Sequence, residues 1–133
     1  MKLIGDTGLL VAFLNRRDAH HDWATALVTD ADFPILICEP VLTESAWHLH
    51  DSDRLLQLVR EDVTRPALDC RDDADALLGL ARRYRDRAPD FCDLCVVRLS
   101  EIFPKHTVAT VDRKDFNVYR RFGKEMIPVA CPI

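Results

Sequence analysis

The sequence has no long hydrophobic run, few glycines and no excess of positive charge. No apolar stretch approaches the roughly 20 residues of a membrane span, and only a few apolar residues separate Lys2 from Asp6, so we expect neither a transmembrane helix nor a secretory signal. The four glycines form no phosphate-binding loop. The net charge of −4 argues against bulk electrostatic coating of nucleic acid, but it permits an acidic metal pocket with local basic patches.

The cysteines do not suggest a disulfide framework. Their number, five, is odd, and Cys38, Cys95 and Cys131 lie in apolar stretches, so we expect reduced core thiols in a cytoplasmic protein. The pair Cys92-x-x-Cys95 resembles half of a zinc site, but no second pair or histidine couple completes it. A redox pair usually opens a helix after a strand, whereas Cys95 lies inside an apolar helical segment. We therefore favour a structural role for this pair.

The length and composition fit one domain with a packed core. The chain has 133 residues, of which 48% are apolar and 30% are charged, and no repeat, linker or low-complexity segment interrupts it. We therefore predict a single domain over residues 1–133.

Short apolar segments alternate with segments of helical pattern. Strands are predicted at Lys2–Gly5, Pro34–Cys38, Thr64–Leu68, Thr107–Val111 and Ile127–Cys131, the third being the weakest. Helices are predicted at Thr7–Asn15, Ala19–Val28, Pro40–His50, Ser52–Arg60, Asp72–Arg85 and Asp90–Ile102, with a short helix or turn at Asp115–Phe122. This alternation predicts an α/β fold, with helices on both faces of a mostly parallel sheet of four to five strands.

Four short acidic motifs lie in or beside apolar segments, where an unpaired buried charge would be costly. They are Asp6-Thr7, Thr43-Glu44-Ser45, Asp90-Phe91-Cys92-Asp93 and Thr110-Val111-Asp112-Arg113-Lys114-Asp115-Phe116. In open α/β sheets, ligands bind at the carboxyl ends of the strands. Asp6, Glu44 and Asp112 all follow predicted strands, so we expect them at that edge. Asp93 joins them only if the N-terminus of its helix packs there.

Two of these motifs also have ordinary explanations at helix starts. Asp6 could cap the helix that begins at Thr7, although Thr7 could equally be the cap and leave Asp6 pointing into a cleft. Asp90 suits the N-cap of the apolar helix that follows it. Asp93 lies in the first turn of that helix, where the helix dipole favours an acid. A capping box prefers Glu or Gln at this place, so capping explains Asp93 less well than Asp90.

The Glu44 motif is open to a second interpretation as solvated surface. Glu44 lies off the apolar stripe of its helix, beside Val41 and His48, and by itself it could be an ordinary exposed glutamate. Glu39 is a rival carboxylate at the end of the preceding strand. The apolar stripe consists of Leu42, Ala46, Leu49 and Trp47.

The last motif contains two acids in a turn, where aspartates are common. Only one of Asp112 and Asp115 need serve a site, and Asp112 is nearer the strand end. Phe116 can anchor the turn in the core.

Several carboxylates in one pocket repel each other, so without a cation at least one pKa should rise. Hard oxygen ligands select Mg²⁺ or Mn²⁺ over zinc. Such a metal can activate a water as a nucleophile and stabilise charge on a phosphoryl oxygen. This chemistry suits phosphodiester hydrolysis, with one carboxylate that does not bind the metal orienting the attacking water.

The four motifs, in this order over nearly the whole chain, resemble those of PIN-domain ribonucleases, of the kind found as VapC-like toxins in type II toxin–antitoxin modules. The segments that carry the resemblance are 2–10, 40–47, 90–93 and 110–116. One departure is Leu94 after Asp93, where the family often has a small residue, commonly Ala. This difference affects the packing of the pocket wall and removes no acid.

The resemblance implies a PIN-like three-layer α/β/α fold and a metal-dependent endoribonuclease with Mg²⁺ or Mn²⁺ as its cofactor. It implies four catalytic acids: Asp6, Glu44, Asp93 and Asp112. It implies that three of them bind the metal: Asp6, Asp93 and Asp112. The supporting or second-tier residues are Thr7, Thr110, Asp90 and Asp115.

The resemblance also implies partners. They would be an RNA substrate, a second copy of the chain in a homodimer, and a cognate antitoxin that inserts a segment into the acidic groove. Two basic clusters could hold the RNA backbone, although solvated helix faces are the slightly favoured explanation. One cluster contains Arg82, Arg83, Arg85 and Arg87, and the other Arg113, Lys114, Arg120, Arg121 and Lys124.

The sequence also leaves room for different functions. The family includes members outside toxin–antitoxin pairs, so the chain could be a standalone nuclease in RNA processing. It could instead be a catalytically silent PIN-like binding module. A receiver-like signalling domain is also α/β with an acidic Mg²⁺ pocket, but it would need paired acids after the first strand, where this chain has only Asp6.

Overall fold

The fold is taken from a computed structural model that describes all residues, 1–133. The strands are β1 (Lys2–Gly5), β2 (Asp32–Ile37), β3 (Thr64–Pro66), β4 (Thr107–Ala109), β5 (Arg120–Arg121), β6 (Glu125–Met126) and β7 (Val129–Ala130). The helices are α1 (Thr7–Leu14), α2 (His21–Asp30), α3 (Glu39–Leu49), α4 (Ser52–Arg60), α5 (Ala74–Arg83), α6 (Phe91–Ile102) and α7 (Arg113–Val118), with a 3₁₀ turn at Arg85–Arg87.

A five-stranded parallel sheet in the order β3-β2-β1-β4-β7 forms the centre of the fold. Ile4 of β1 pairs with Leu36 of β2 on one side and with Val108 of β4 on the other. The chain builds outward from β1 to β3 and then returns to add β4 and β7 on the opposite side. The strand order therefore reverses between β1 and β4, and in open α/β sheets this switch point forms a crevice at the carboxyl edge.

Helices cover both faces of the sheet, which confirms the predicted α/β fold and is consistent with three layers. A cluster of 20 buried residues includes Leu55 of α4, Leu77 of α5 and Val96 of α6. A smaller cluster of seven buried residues lies against α1 and α2. Neighbouring residues of β1 divide between them, Leu3 in the smaller cluster and Ile4 in the larger, because successive side chains of a strand point to opposite faces.

The main differences from the predicted elements fall near the end of the chain. The predicted strand Thr107–Val111 ends at Ala109, and the predicted segment Asp115–Phe122 is a helix only over Arg113–Val118. An antiparallel hairpin of β5 and β6 follows, which was not predicted. Its strands have two residues each, too few to produce an alternating pattern. Its turn contains Phe122 and Gly123, both with positive φ.

The cysteine predictions are confirmed in most respects. All five cysteines are free, and Cys38 and Cys95 are buried as expected. Cys131 was expected in the core but is only half-buried, because it lies beyond the end of β7.

The longest helix, α6, has 12 residues. No helix combines the length and the apolar character needed to cross a membrane.

Candidate active site

The ends of β1 and β4 bring Asp6 and Thr110 together. The backbone N–H of Asp6 donates to the Ala109 carbonyl at 3.0 Å, which continues the pairing of the two strands. The Thr110 hydroxyl then donates to Asp6 Oδ2 at 2.7 Å, and the Thr7 backbone N–H donates to Asp6 Oδ1 at 2.9 Å. Asp6 is thus the N-cap of α1, one of the two interpretations that the sequence allows. It also lines the cleft, with only 8% of its surface exposed.

A second hydrogen bond ties α1 to α3 through the Glu44 motif. The Thr7 hydroxyl donates to Glu44 Oε1 at 2.7 Å, and its oxygen lies 4.0 Å from the Cys92 sulfur. Glu44 is half-buried and lines the same cleft as Asp6, whereas its rival Glu39 is exposed at the start of α3. The surface interpretation of Glu44 is therefore wrong.

The N-terminus of α6 packs at the same edge, which meets the condition set for Asp93. Asp90 caps the helix by accepting a 2.7 Å hydrogen bond from the Cys92 backbone N–H, as predicted. Asp93, in the first turn of the helix, lines the cleft and accepts a 3.3 Å hydrogen bond from the Tyr119 hydroxyl. Leu94 stands where the PIN-domain motif often has a small residue. Its side chain points into the core and does not line the cleft.

Asp112 is positioned by the turn that follows β4. It is the N-cap of α7, accepting from the Asp115 backbone N–H at 3.0 Å. Its own N–H donates to the Thr110 hydroxyl oxygen at 3.0 Å. Thr110 therefore donates to Asp6 and accepts from Asp112, joining two of the predicted acids. Phe116, which is buried, anchors this turn in the core as expected.

All four predicted acids line one cavity of about 560 Å³, together with the second-tier residues Asp90, Asp115 and Thr7. Within it, one carboxylate oxygen from each of Asp93, Asp112 and Asp115 lies within 4.8 Å of the other two. Asp115 thus belongs to the group that contains Asp93 and Asp112, although the sequence favoured Asp112 alone. A second group within the same distance consists of Glu44, Asp90 and Cys92.

Burial, together with the charge of neighbouring carboxylates, raises the pKa values of Asp93 and Asp6, as expected for a site without a cation. Burial, followed by the charges of Asp6, Asp90 and Asp112, raises the pKa of Asp93 to about 7, and the Tyr119 hydrogen bond only partly opposes this. Burial also raises the pKa of Asp6, against the hydrogen bonds from Thr110 and Thr7. No lysine or arginine forms an ion pair with any of the acids that line the cavity. A bound cation would relieve this repulsion.

The donors at the site fit Mg²⁺ or Mn²⁺. The group of Asp93, Asp112 and Asp115 offers only carboxylate oxygens, the ligands that these hard cations prefer. Asp93 and Asp112 would hold such an ion directly. Asp115 or Asp6 would complete the set.

Positive charge borders the cleft on one side. Arg87 and Lys114 both act to lower the pKa of Asp115, although burial and the neighbouring Asp112 outweigh them and raise it. Arg87 also lines an adjoining cavity with Asp93, Asp115 and Tyr119. Arg87 belongs to one of the two basic clusters and Lys114 to the other.

The thiols of Cys38 and Cys92, which lie beside each other, are neutral. Contact with Cys92 lowers the pKa of Cys38, but contact with Cys95 and burial outweigh it and raise that pKa to about 12. Contact with Cys38 and burial raise the pKa of Cys92 as well. Neutral, buried thiols behave as small apolar side chains.

The sequence reasoning missed Tyr119 and Gly8. Nothing in the local sequence indicates that Tyr119 reaches Asp93, because 26 residues separate them. Gly8 allows α1 to approach the turn after β4: a Cβ at this position would lie 2.5 Å from Val111 Cγ2. His48 is exposed but also lies on the wall of the acidic cavity.

No protein-family model matches the sequence, and no curated protein matches it significantly. The geometry and chemistry of the site, with the motif resemblance, therefore carry the functional assignment.

Proposed function

We propose that the protein is a metal-dependent endoribonuclease that hydrolyses phosphodiester bonds in RNA. The observation that carries this proposal is the group formed by Asp93, Asp112 and Asp115, whose carboxylate oxygens lie within 4.8 Å of one another. The group lies at the switch point of a parallel sheet, where ligands of α/β proteins bind, and no basic side chain forms an ion pair with it.

The acids of the cleft have two proposed roles. Most of them would hold a cation, whereas Glu44 is free to contact the attacking water. When bound, Mg²⁺ or Mn²⁺ would supply an activated water and stabilise negative charge on the phosphate. Thr110 and Thr7 fix the carboxylate of Asp6 beside the group. Glu44 lies in the second group, with Asp90 and Cys92, and its Oε1 accepts the hydrogen bond from Thr7. Glu44 Oε2 therefore has no partner within the chain and can accept a hydrogen bond from the attacking water.

The charge distribution supports a polyanionic substrate. The acids would repel a phosphate in the absence of a cation, whereas Arg87 and Lys114 place positive charge beside Asp115. Local positive charge of this kind can guide a nucleic-acid backbone although the whole chain carries a net charge of −4.

The PIN-like motifs extend the proposal to a biological role. By that resemblance, the protein would be the toxin of a toxin–antitoxin pair, active as a homodimer and held in check by an antitoxin. The second candidate role is that of a standalone nuclease in RNA processing. A neighbouring reading frame that encodes a small DNA-binding protein would favour the toxin, and its absence would favour the standalone enzyme.

A receiver-like domain and a catalytically silent module receive less support. A receiver-like domain would have the flavodoxin-like strand order 2-1-3-4-5, whereas the order here is β3-β2-β1-β4-β7. A catalytically silent module would not need a full set of acids around one cavity, and here all four are present.

The test is cleavage of RNA by the purified protein with Mg²⁺, with Mn²⁺ and with a chelator. Asp93→Asn and Asp6→Asn should each lower the rate about 100-fold or more, because metal stabilisation of a transition state supplies several kcal/mol. Asp22→Asn is a matched control, since Asp22 also lies in the first turn of a helix but is exposed. Equal activity of the wild type and both site variants, or equal activity with the chelator, would contradict the proposal.

A further inference from the structure

A second cavity, of about 520 Å³, opens beside the acidic cleft. It shares Glu44 and Asp90 with that cleft, so a group held in it would be adjacent to a group held by the acids. Its volume lies within the range of roughly 300–1,000 Å³ that is typical of pockets for small molecules. We call it the side cavity; its lining includes Cys38, Pro40, Leu68, Phe91, Cys92 and Cys95.

The walls of the side cavity are largely apolar. The buried sulfur atoms of Cys38, Cys92 and Cys95 line it, and Leu68 and Pro40 add hydrocarbon surface. Phe91 is the first residue of α6 and remains 50% exposed, although most of that helix is buried. An aromatic ring that remains available directly after Asp90 offers a stacking surface next to the acidic cleft.

The charged groups around the side cavity all have one sign. Glu39, Glu44 and Asp90 contribute carboxylates to its lining, and no lysine or arginine lines it. A phosphate would therefore be repelled. A flat, uncharged group that carries N–H donors along one edge fits both the apolar wall and the carboxylates. Among the parts of an RNA chain, only a nucleobase has these properties.

We propose that the side cavity binds one unpaired nucleobase next to the phosphodiester bond that is cut, with Phe91 stacking on its face. Glu39 accepts hydrogen bonds from its edge. This inference rests on the proposed nuclease function and adds a specificity subsite to it. A base that projects an amino group, such as guanine, adenine or cytosine, suits a carboxylate better than uracil, whose single N–H donor lies between two carbonyl oxygens that repel a carboxylate. A base inside a duplex cannot enter.

The first experiment maps cleavage of a random-sequence single-stranded RNA pool by sequencing the new ends. The wild type should favour amino-bearing bases over uracil at one position that flanks the cut. Phe91→Ala should lower kcat/KM about 10- to 100-fold and weaken this preference, because it removes the stacking surface. Phe91→Trp should restore both. Glu39→Gln should change the preferred base.

The matched control is Phe33→Ala. Phe33 is 55% exposed, close to Phe91 in this respect, but it lies near the amino end of β2, at the opposite edge of the sheet. The Phe33→Ala variant should keep the wild-type rate of RNA cleavage and the wild-type base preference. If Phe91→Ala keeps the wild-type rate and pattern while Asp93→Asn is inactive, the base subsite is wrong and the nuclease proposal stands. If Asp93→Asn is fully active, the nuclease proposal itself fails.

The second experiment measures binding without turnover. Cys70 is exposed and lines the side cavity, so its alkylation by iodoacetamide reports on occupancy. In the Glu44→Gln variant with Mn²⁺, which keeps every proposed metal ligand but slows turnover, a saturating single-stranded RNA should slow the alkylation of Cys70, as followed by peptide mass spectrometry. Inorganic polyphosphate, which carries charge but no bases, should not. Equal protection by both, or protection by neither, would overturn the base subsite.

Discussion

The Thr110 hydroxyl donates a 2.7 Å hydrogen bond to Asp6 Oδ2, although 104 residues separate the two in the sequence. Each residue directly follows one of the two central strands, so the bond closes the carboxyl edge of the sheet where the strand order reverses. The same hydroxyl accepts a hydrogen bond from the Asp112 backbone N–H. One side chain therefore fixes the positions of two of the predicted acids.

Thr110→Val should weaken both the fold and the site. Valine has the shape of threonine but cannot donate, and a hydrogen bond to a charged group contributes about 1.5–3 kcal/mol. We expect a lower midpoint of thermal unfolding and weaker Mn²⁺ binding by calorimetry. Thr107→Val is the control, because Thr107 lies at the amino end of the same strand and should change stability by less than about 0.5 kcal/mol. Equal effects of the two changes would contradict a special role for Thr110.

The metal-free protein should become less stable as the pH rises from about 4 to about 7. Asp93 titrates near 3.8 when unfolded and at about 7 in the folded protein, so between these values the folded state holds a proton that the unfolded state has lost. Thermal unfolding in a chelator measures this trend, and Asp93→Asn should flatten it.

Mn²⁺ competes with the same proton, so its stabilising effect should be larger at about pH 8 than at about pH 5. A Mn²⁺ effect that does not depend on pH would be evidence against Asp93 as a ligand.

Gly8→Ala should disturb the turn that carries Asp112. The added Cβ would lie 2.5 Å from Val111 Cγ2, so either α1 or the turn must move. Displacement of a catalytic group by about 1 Å can cost about 100-fold in rate, and we expect a loss of about 10- to 100-fold in RNA cleavage. The double variant Gly8→Ala/Val111→Ala should recover most of the activity, because the clashing methyl groups are gone.

Gly79→Ala is the matched control for this substitution. No atom lies within 4 Å of a Cβ at position 79, in the middle of α5. Alanine there should stabilise the protein by about 0.4–1 kcal/mol and leave cleavage unchanged. Failure of the double variant to recover activity would mean that Gly8 acts in some way other than through Val111.

Arg87→Ala should raise KM and reduce the salt dependence of RNA binding, with a smaller effect on kcat. Arg87 lies near Asp115 at the edge of the acidic cleft, where it can contact a phosphate beside the bond that is cut. Each phosphate contact that is lost lowers the slope of log affinity against log salt by about 0.7 for a single strand. Arg82→Ala serves as the comparison within the same cluster. Similar results for both variants would mean that Arg87 acts only through the general positive charge of the cluster and not through a phosphate contact of its own.

The sequence predicted most of the secondary structure, because strands buried on both faces and amphipathic helices have distinct apolar patterns. Helix α4, for example, has the predicted bounds, Ser52–Arg60. Where tertiary packing decides which side chains are buried, the apolar pattern of the sequence was misleading. Trp47 was assigned to the apolar stripe of α3, yet it is 71% exposed, because α3 buries Val41 and Ser45 instead. The hairpin after α7 has strands too short to produce any pattern.

For the site, the sequence identified which residues could take part but not which of them meet. The sequence favoured Asp112 over Asp115, but the structure brings both to Asp93 because α7 begins between them and turns the two carboxylates to the same side. Tyr119 had no sequence signal, since its role depends on the packing of the segment after α7 against α6.

By itself, the sequence determined the α/β alternation and the positions of the acids after the strands, because both follow from local pattern and strand polarity. Only the tertiary structure decided that the N-terminus of α6 reaches the same edge and that Thr110 joins Asp6 to Asp112. It also decided that a cavity with Phe91 at its opening lies beside the acids. These features depend on the order of strands and on helix packing, which are set by contacts between residues distant in the sequence.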